Sequence, residues 1–294
     1  MQGNVEAERV QIPAKKKEAS VPWAHLRIPP FPQVAIRVLQ LANNDNVRLT
    51  QLSELISSDA AFASEVLTVA NSILYAPRFP SKSILQAISV LGSHHLQGMC
   101  MTVGMRAYLG RGLSDSAMRS LWRHSLACAL IAERLAGAGG AKGDSAYTSG
   151  VLHDVGRFAL AVIRPKEYTD LLGKHEGTAA SMLEGEAELF GFNHCQVGRK
   201  LIVDWKLSSE FDLVVSDHHS PLDTEGGEWN MNELIKVSCS LADCIGFPAF
   251  PGCVTTPYEE LIALLPARER SVLPAEIETL EEDISARIQG VESV

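Results

Sequence analysis

Apolar residues recur along this chain at spacings of three and four, while runs of alternating β-branched residues of strand length are nearly absent, so the pattern predicts an all-α protein. Pro29, Pro30 and Pro32 favour an extended lead-in, after which Val34, Ile36, Val38, Leu39 and Leu41 begin the first helix. Thr50 is placed to cap a second helix carrying Leu52, Leu55 and Ile56 on one side. A third follows Asp59, with Phe62, Val66, Leu67, Ala70 and Leu74 at helical spacing. Ser83, with Gln86 three residues on, forms a capping-box pattern ahead of Ile84, Ala87, Ile88 and Leu91, and Gly92 marks that helix's end. Further helices are expected over 95–110, 115–137, 146–163, 166–173, 180–190, 194–204, 208–218 and 230–246, with residues 137–143 and 223–228 as exposed connections. From Thr256, with Pro257 at the first helical position and Glu259 completing a capping box, one or two amphipathic helices follow. There Leu280, Ile284 and Ile288 recur every four residues, which suits a docking helix or dimer seam but more commonly a helix covering its own domain.

Composition narrows the classes. With 294 residues, 46% of them hydrophobic, the chain can bury one large core or two smaller ones in close contact. A net charge of −9 and no long basic stretch argue against direct binding of nucleic acid through its phosphates. Residues 83–105 contain no Asp, Glu, Lys or Arg, yet Gln86, Ser93, His94, His95, Gln97 and several glycines interrupt them, so no membrane span is expected. Residues 1–20 include Lys15, Lys16 and Lys17 with no apolar stretch behind them, and read as a flexible tail rather than a secretory signal. Cys100, Cys128, Cys195, Cys239, Cys244 and Cys253 form no CxxC pair, which fits buried free thiols and a cytoplasmic protein.

The strongest local signal is Leu152-His153-Asp154-Val155-Gly156-Arg157, an adjacent histidine and aspartate inside an apolar stretch from Ala146 to Ile163. A buried aspartate is costly unless it is paired, hydrogen-bonded or metal-bound, so the pair suggests a metal corner. His124, His194, His218, His219 and Asp243 extend the set to enough imidazoles and carboxylates for one or two divalent ions (iron, manganese or zinc), with Asp154 as a bridge. A lone helical histidine is more often a core or capping residue, the reading given to His25, His94, His95 and His175. Arg157 is an anion-binding candidate or the partner of a carboxylate at the helix surface, and the sequence does not separate the two.

The order His124, His153-Asp154, Asp243 resembles the HD superfamily. Ile28-Pro29-Pro30-Phe31-Pro32, Ile56-Ser57-Ser58-Asp59-Ala60-Ala61, Val69-Ala70-Asn71-Ser72 and the segment from Ser83 to Gly92 resemble the bacterial HDOD family more closely. So do His194-Cys195-Gln196-Val197-Gly198 and Asp204-Trp205-Lys206-Leu207. The resemblance implies an N-terminal helical bundle at about 21–112 packed on an HD-like bundle at 113–255, with a helical extension over 256–294. It further implies a signalling regulator that works mainly through a protein partner, with a nucleotide as the ligand class its site would take. The related HD-GYP phosphodiesterases hydrolyse cyclic di-guanylate with bound metal, and their ligand pattern falls on His124, His153, Asp154, His194, His218, His219 and Asp243. If the chain is an enzyme, that resemblance implies a metal-dependent phosphohydrolase using Asp154 and Arg157. The chain departs from HD-GYP proteins at Arg157, where they have lysine, at Ser120, where they have an acidic residue, and in lacking Gly-Tyr-Pro after His219.

Overall fold

Helix formation starts where the proline-rich lead-in stops. In the computed structural model, which describes residues 27–42, 46–139, 143–222 and 229–293, Pro32 caps the turn that opens α1 (Gln33–Ala42) by accepting from the Ala35 amide at 3.1 Å. Ala35, Ile36, Val38 and Leu39 form its buried stripe. The protein is all-α, with two two-residue strands as its sole sheet among the described residues.

The N-terminal helices show how local chemistry places each start. In α2 (Leu49–Ser57) the expected cap, Thr50, lies inside the first turn. The helix begins earlier because Gln51 Oε1 accepts from the Arg48 amide at 3.0 Å. Asp59 caps α3 (Ala60–Ala70), its Oδ1 accepting from the amides of Ala61 and Phe62 at 3.1 and 3.0 Å. Ser83 Oγ accepts from the Gln86 amide to open α4 (Ile84–Leu91), but Gln86 reaches back to the Lys82 amide rather than to that of Ser83, so the box is half formed. Gly92, at φ +94°, ends α4 and turns the chain into α5 (Ser93–Leu109), which divides the uncharged stretch into two helices. No helix among the described residues is long and apolar enough to cross a membrane.

A 3-10 turn over Gly110–Ser114 leads into α6 (Ser116–Gly139), the long central helix. Gly137 therefore belongs to a helix rather than to a connection, while 140–142, 223–228 and the expected N-terminal tail lie outside the described residues. Where one helix was expected over 146–163 there are two, α7 (Gly143–Leu152) and α8 (Val155–Ile163). They break at His153-Asp154 because Asp154 adopts φ −100° and ψ 18°, the sparsely allowed bridge region. Then follow α9 (Pro165–Lys174), α10 (Ala179–Phe190), α11 (His194–Asp204), α12 (Ser209–Asp217) and α13 (Met231–Cys244). Helix α6 lies against α7 and α13, and α11 against α8 and α12. The strands β1 (Glu176–Gly177) and β2 (Gly252–Cys253) pair in parallel and fasten the loop after α13 to the loop after α9.

The first five helices meet the later ones through specific fits. Phe31 stacks against both Tyr108 and Trp205, with ring centroids 5.4 and 4.8 Å apart, and Gln40 donates to the Trp205 carbonyl. Gly98 of α5 leaves room for the Tyr147 ring, whose hydroxyl hydrogen-bonds Thr102 at 3.0 Å. At the far end, α14 (Tyr258–Leu264) has Pro257 in the cap position and no side-chain cap, contrary to the expected box. A short α15 (Ala267–Arg270) leads to α16 (Ile277–Glu292), whose Leu280, Ile284 and Ile288 are buried within this chain, so the helix covers its own fold. Arg287 with Glu133 and Arg134 with Asp283 tie it to α6, while Arg106 of α5 donates to the Val291 carbonyl.

The closest helix approach fixes the future site. A Cβ on Gly156 of α8 would stand 1.9 Å from the carbonyl oxygen of His194, so the two backbones touch through the glycine. Gly156→Ala is expected to destabilise the fold by about 3 kcal/mol or more, as overpacking against backbone does. Gly137→Ala, on an open face of α6 with nothing within 4 Å, is expected to stabilise by up to about 1 kcal/mol. Urea unfolding midpoints of the two variants against wild type test both.

Candidate metal centre

Helices α6, α7, α8, α11, α12 and α13 each deliver a polar residue to one buried region: His124, His153, Asp154, His194, His218 and His219, and Cys239. His153 closes α7 and Asp154 precedes α8, so the break between the helices turns two neighbouring residues toward one point. Asp154 Oδ1 lies 2.9 Å from Arg157 Nε and 3.4 Å from Nε2 of both His194 and His218, and Oδ2 lies 3.5 Å from His153 Nε2. His124, His153, Asp154, Arg157, His194 and His218 are all within 3% of complete burial.

The backbone sets which ring nitrogen faces inward. His153 Nδ1 donates to the Gly150 carbonyl at 2.6 Å, His218 Nδ1 to Val214 at 3.1 Å and His124 Nδ1 to Phe247 at 2.8 Å. Carbonyls accept only, so each ring carries a proton on Nδ1 and turns Nε2 inward. Burial, and less strongly the nearby rings of His218 and His124, lower His153 to about 3 against the opposing pull of Asp154, which keeps it neutral and able to ligate. Burial would push the Asp154 carboxyl up, but the Arg157 guanidinium beside it and the surrounding histidines hold it well below the usual carboxylate range.

Three of these atoms, His153 Nε2, Asp154 Oδ2 and His218 Nε2, are buried with no hydrogen-bond partner, and ligand atoms of the same three residues lie within 4.8 Å of one another. Orphaned lone pairs converging in a dry interior fit a divalent cation, which would satisfy them together. His194 and His219 approach at 3.0 Å between Nε2 atoms, and with Cys195 and His218 form an adjoining group of donors. Asp243 stands behind His124. Its Oδ1 accepts from the Ala249 amide at 2.9 Å and lies 3.2 Å from His124 Nδ1, so it orients that ring rather than joining the converging donors.

Arg157 pairs with carboxylates, as one of its two readings had it, but in the core rather than at the helix surface. Besides Asp154 its guanidinium stands 3.8 Å from Glu186 Oε1. Glu186 is a site residue that sequence reasoning missed. It accepts from the His194 amide and Nδ1, both at 2.7 Å, and from the Tyr168 hydroxyl at 2.7 Å. Burial would raise its carboxyl, but His194, then Arg157 and the Tyr168 hydroxyl, bring it down to about 2. Cys239 was also missed as a donor: Sγ lies 3.4 Å from His124 Nε2. The six cysteines are free. Of the histidines read as structural, His95 packs edge-on against Tyr75, and His175 bonds Ser181 and meets Phe250 edge-on. The centre opens on a cavity of about 450 Å³ lined by Arg157, His218, His219, Lys236, Cys239 and Asp243. A larger groove beside Arg134 and Asp283 contains none of the histidines.

The family model of the HDOD domain matches residues 28–221. An uncharacterized protein of Treponema pallidum (strain Nichols) is 24% identical over 213 residues, covering 72% of this chain, and the chain spans 41% of that relative's length. Among solved structures, an HDOD domain protein of unknown function from Geobacter sulfurreducens is 22% identical with a TM-score of 0.65, covering 90% of this chain and 91% of that one. A chain from Shewanella amazonensis SB2B, named as a candidate phosphohydrolase, is 18% identical with a TM-score of 0.64, covering 90% and 94%. At these identities the solved structures establish a shared helical fold.

Glu186→Leu strips the acceptor from Tyr168 and His194 and leaves Arg157 with half its counter-charge. It is expected to cost about 3–5 kcal/mol, as loss of one partner from a buried ionic network does. Glu188→Ala, two residues on and exposed, is expected to stay within about 0.5 kcal/mol of wild type in the same denaturation experiment.

Proposed function

The chain belongs to the HDOD family, and from that premise we propose that it is a signal-transduction module whose HD-like bundle holds a divalent metal and acts through a protein partner. The observation that carries this reading is the position of Arg157. Its side chain is fully buried and its charge is shared by Asp154 and Glu186, so the cation nearest the cluster is already neutralised by protein carboxylates. A guanidinium held that way stabilises a closed centre better than it serves an incoming phosphate. His124, His153, Asp154, His194, His218 and His219 are the residues that would hold the ion or ions, with Asp243 acting through His124. A change of state there would reach a partner through the contacts of α5 with α7 and of Phe31 with Trp205, where the N-terminal helices rest on the HD-like ones.

A second reading, a metal-dependent phosphohydrolase of a nucleotide or cyclic dinucleotide, is favoured by the cavity lined by His218, His219 and Arg157. Lewis acidity towards a phosphoryl oxygen is the chemistry such an ion supplies when bound. In that case Asp154 holds it in place and His219, half-buried at the cavity wall, faces the substrate.

Elemental analysis of the full chain, purified without chelator or metal-binding tag, tests both readings when wild type is compared with Asp154→Ala and each is given a panel of phosphoesters. The expected result is a stoichiometric ion in wild type, its loss in the variant, and turnover by neither. Hydrolysis by wild type that Asp154→Ala abolishes would replace the first reading with the second. No ion in wild type after reconstitution would remove the metal from both.

A further inference from the structure

Cys239 is the donor that the proposed function leaves unused. It lies on α13 one helical turn before Asp243, on the same face. Its Sγ lies 3.4 Å from His124 Nε2, a ligand atom of each of Cys239, His124 and His153 lies within 4.8 Å of the others, and the three residues are buried. Both rings have already committed Nδ1 to a backbone carbonyl, and His153 Nε2 has no hydrogen-bond partner. We propose that Cys239, as a thiolate, ligates the metal together with His124 and His153, making this a zinc-selective site. The proposal rests on the metal reading above and goes beyond it by naming the ion and a ligand of a different chemical kind.

Distance, softness and charge each support it. Around a tetrahedral zinc with Zn–S of about 2.3 Å and Zn–N of about 2.0–2.1 Å, a sulfur and a nitrogen ligand sit about 3.5 Å apart. Cys239 Sγ and His124 Nε2 are 3.4 Å apart. A thiol hydrogen-bonded to an imidazole would also stand at that distance, but such a pair has no use for the bare nitrogen of His153 beside it. Thiolate with imidazole selects zinc over manganese or magnesium, which prefer oxygen. The unpartnered Asp154 Oδ2, 3.5 Å from His153 Nε2, is the nearest fourth donor. Thiolate and carboxylate then cancel the divalent charge, as Glu186 offsets Arg157, so the ion adds no uncompensated positive charge to the low-dielectric interior. The thiol proton passes to solvent as the ion enters. Asp243, behind His124, keeps that ring oriented.

Cobalt(II) titration of the metal-free full chain tests this, because only a sulfur ligand gives the near-ultraviolet thiolate-to-cobalt charge-transfer band. Wild type is expected to show the band, Cys239→Ser to lose it, and Cys195→Ser, which alters the neighbouring donor group, to keep it. Zinc is expected to displace cobalt from wild type with at least about tenfold higher affinity than from Cys239→Ser, since even losing a residue that supports a ligand costs that much. Cobalt bound to wild type without the band, or a band that follows Cys195 instead, would overturn the assignment while leaving a metal in place. Failure of wild type to bind cobalt at all would overturn the assignment and the metal reading together. If Cys239→Ser does not fold, Cys239→Ala takes its place, and Cys128→Ser and Cys253→Ser, like Cys195→Ser, are expected to keep the band.

Discussion

The ion pair between Asp154 and Arg157, three residues apart and both out of reach of water, sets the terms for everything around it. A carboxylate there is tolerable only with compensation, and the fold supplies it from several directions: Arg157 from the next turn, His194 from α11, His218 from α12. The arginine brings a buried cation of its own, which calls for Glu186 on α10, and Glu186 in turn fixes the amide and ring of His194 and the hydroxyl of Tyr168. One polar commitment thus propagates through five helices, α8 to α12. The glycine contact between α8 and α11 is the steric counterpart, since any side chain at Gly156 would push His194 away from Asp154.

Amphipathic elements were the legible part of this chain. The first helix, α3, α4 and the final helix α16 carry one apolar stripe each, and the polar residues between the stripes mark their register. The break between α7 and α8 was not legible because both helices are buried nearly all round, so no polar face interrupts the apolar run to show where the axis turns. The starts of α2 and α14 were misplaced for a related reason: several residues near each could cap, and only the folded geometry selects Gln51 in one case and no side chain in the other.

Among the polar residues, the histidines and Asp154 stood out because their types alone suggest ligation. Glu186 did not, since a glutamate on an amphipathic helix reads as solvated surface, and its partners lie 8 to 29 positions away in the sequence. Cys239 was hidden by the general rule that free thiols in a core are buried and inert, which holds until an imidazole nitrogen is found facing the sulfur. The placement of Asp243 depended on the loop after α13, whose Ala249 amide takes the carboxylate oxygen, and no spacing argument reaches that contact.

Helix α16 has a bearing on the order in which this molecule can assemble. It is clasped by Arg134 and Glu133 from α6 and by Arg106 from α5, and Gly290 lets it settle against Ile73 and Leu74 beside α3. The Arg106 contact joins residues 185 positions apart. Closing so long a loop costs chain entropy before any contact repays it, so these contacts form late, after the local helical pairs. The N-terminal helices and the histidine-bearing helices also meet through Phe31, Gln40 and the packing of α5 on α7. As a brace made only of long-range contacts at the end of the chain, α16 is the element whose release would loosen the two halves while leaving the local helical pairs on either side intact.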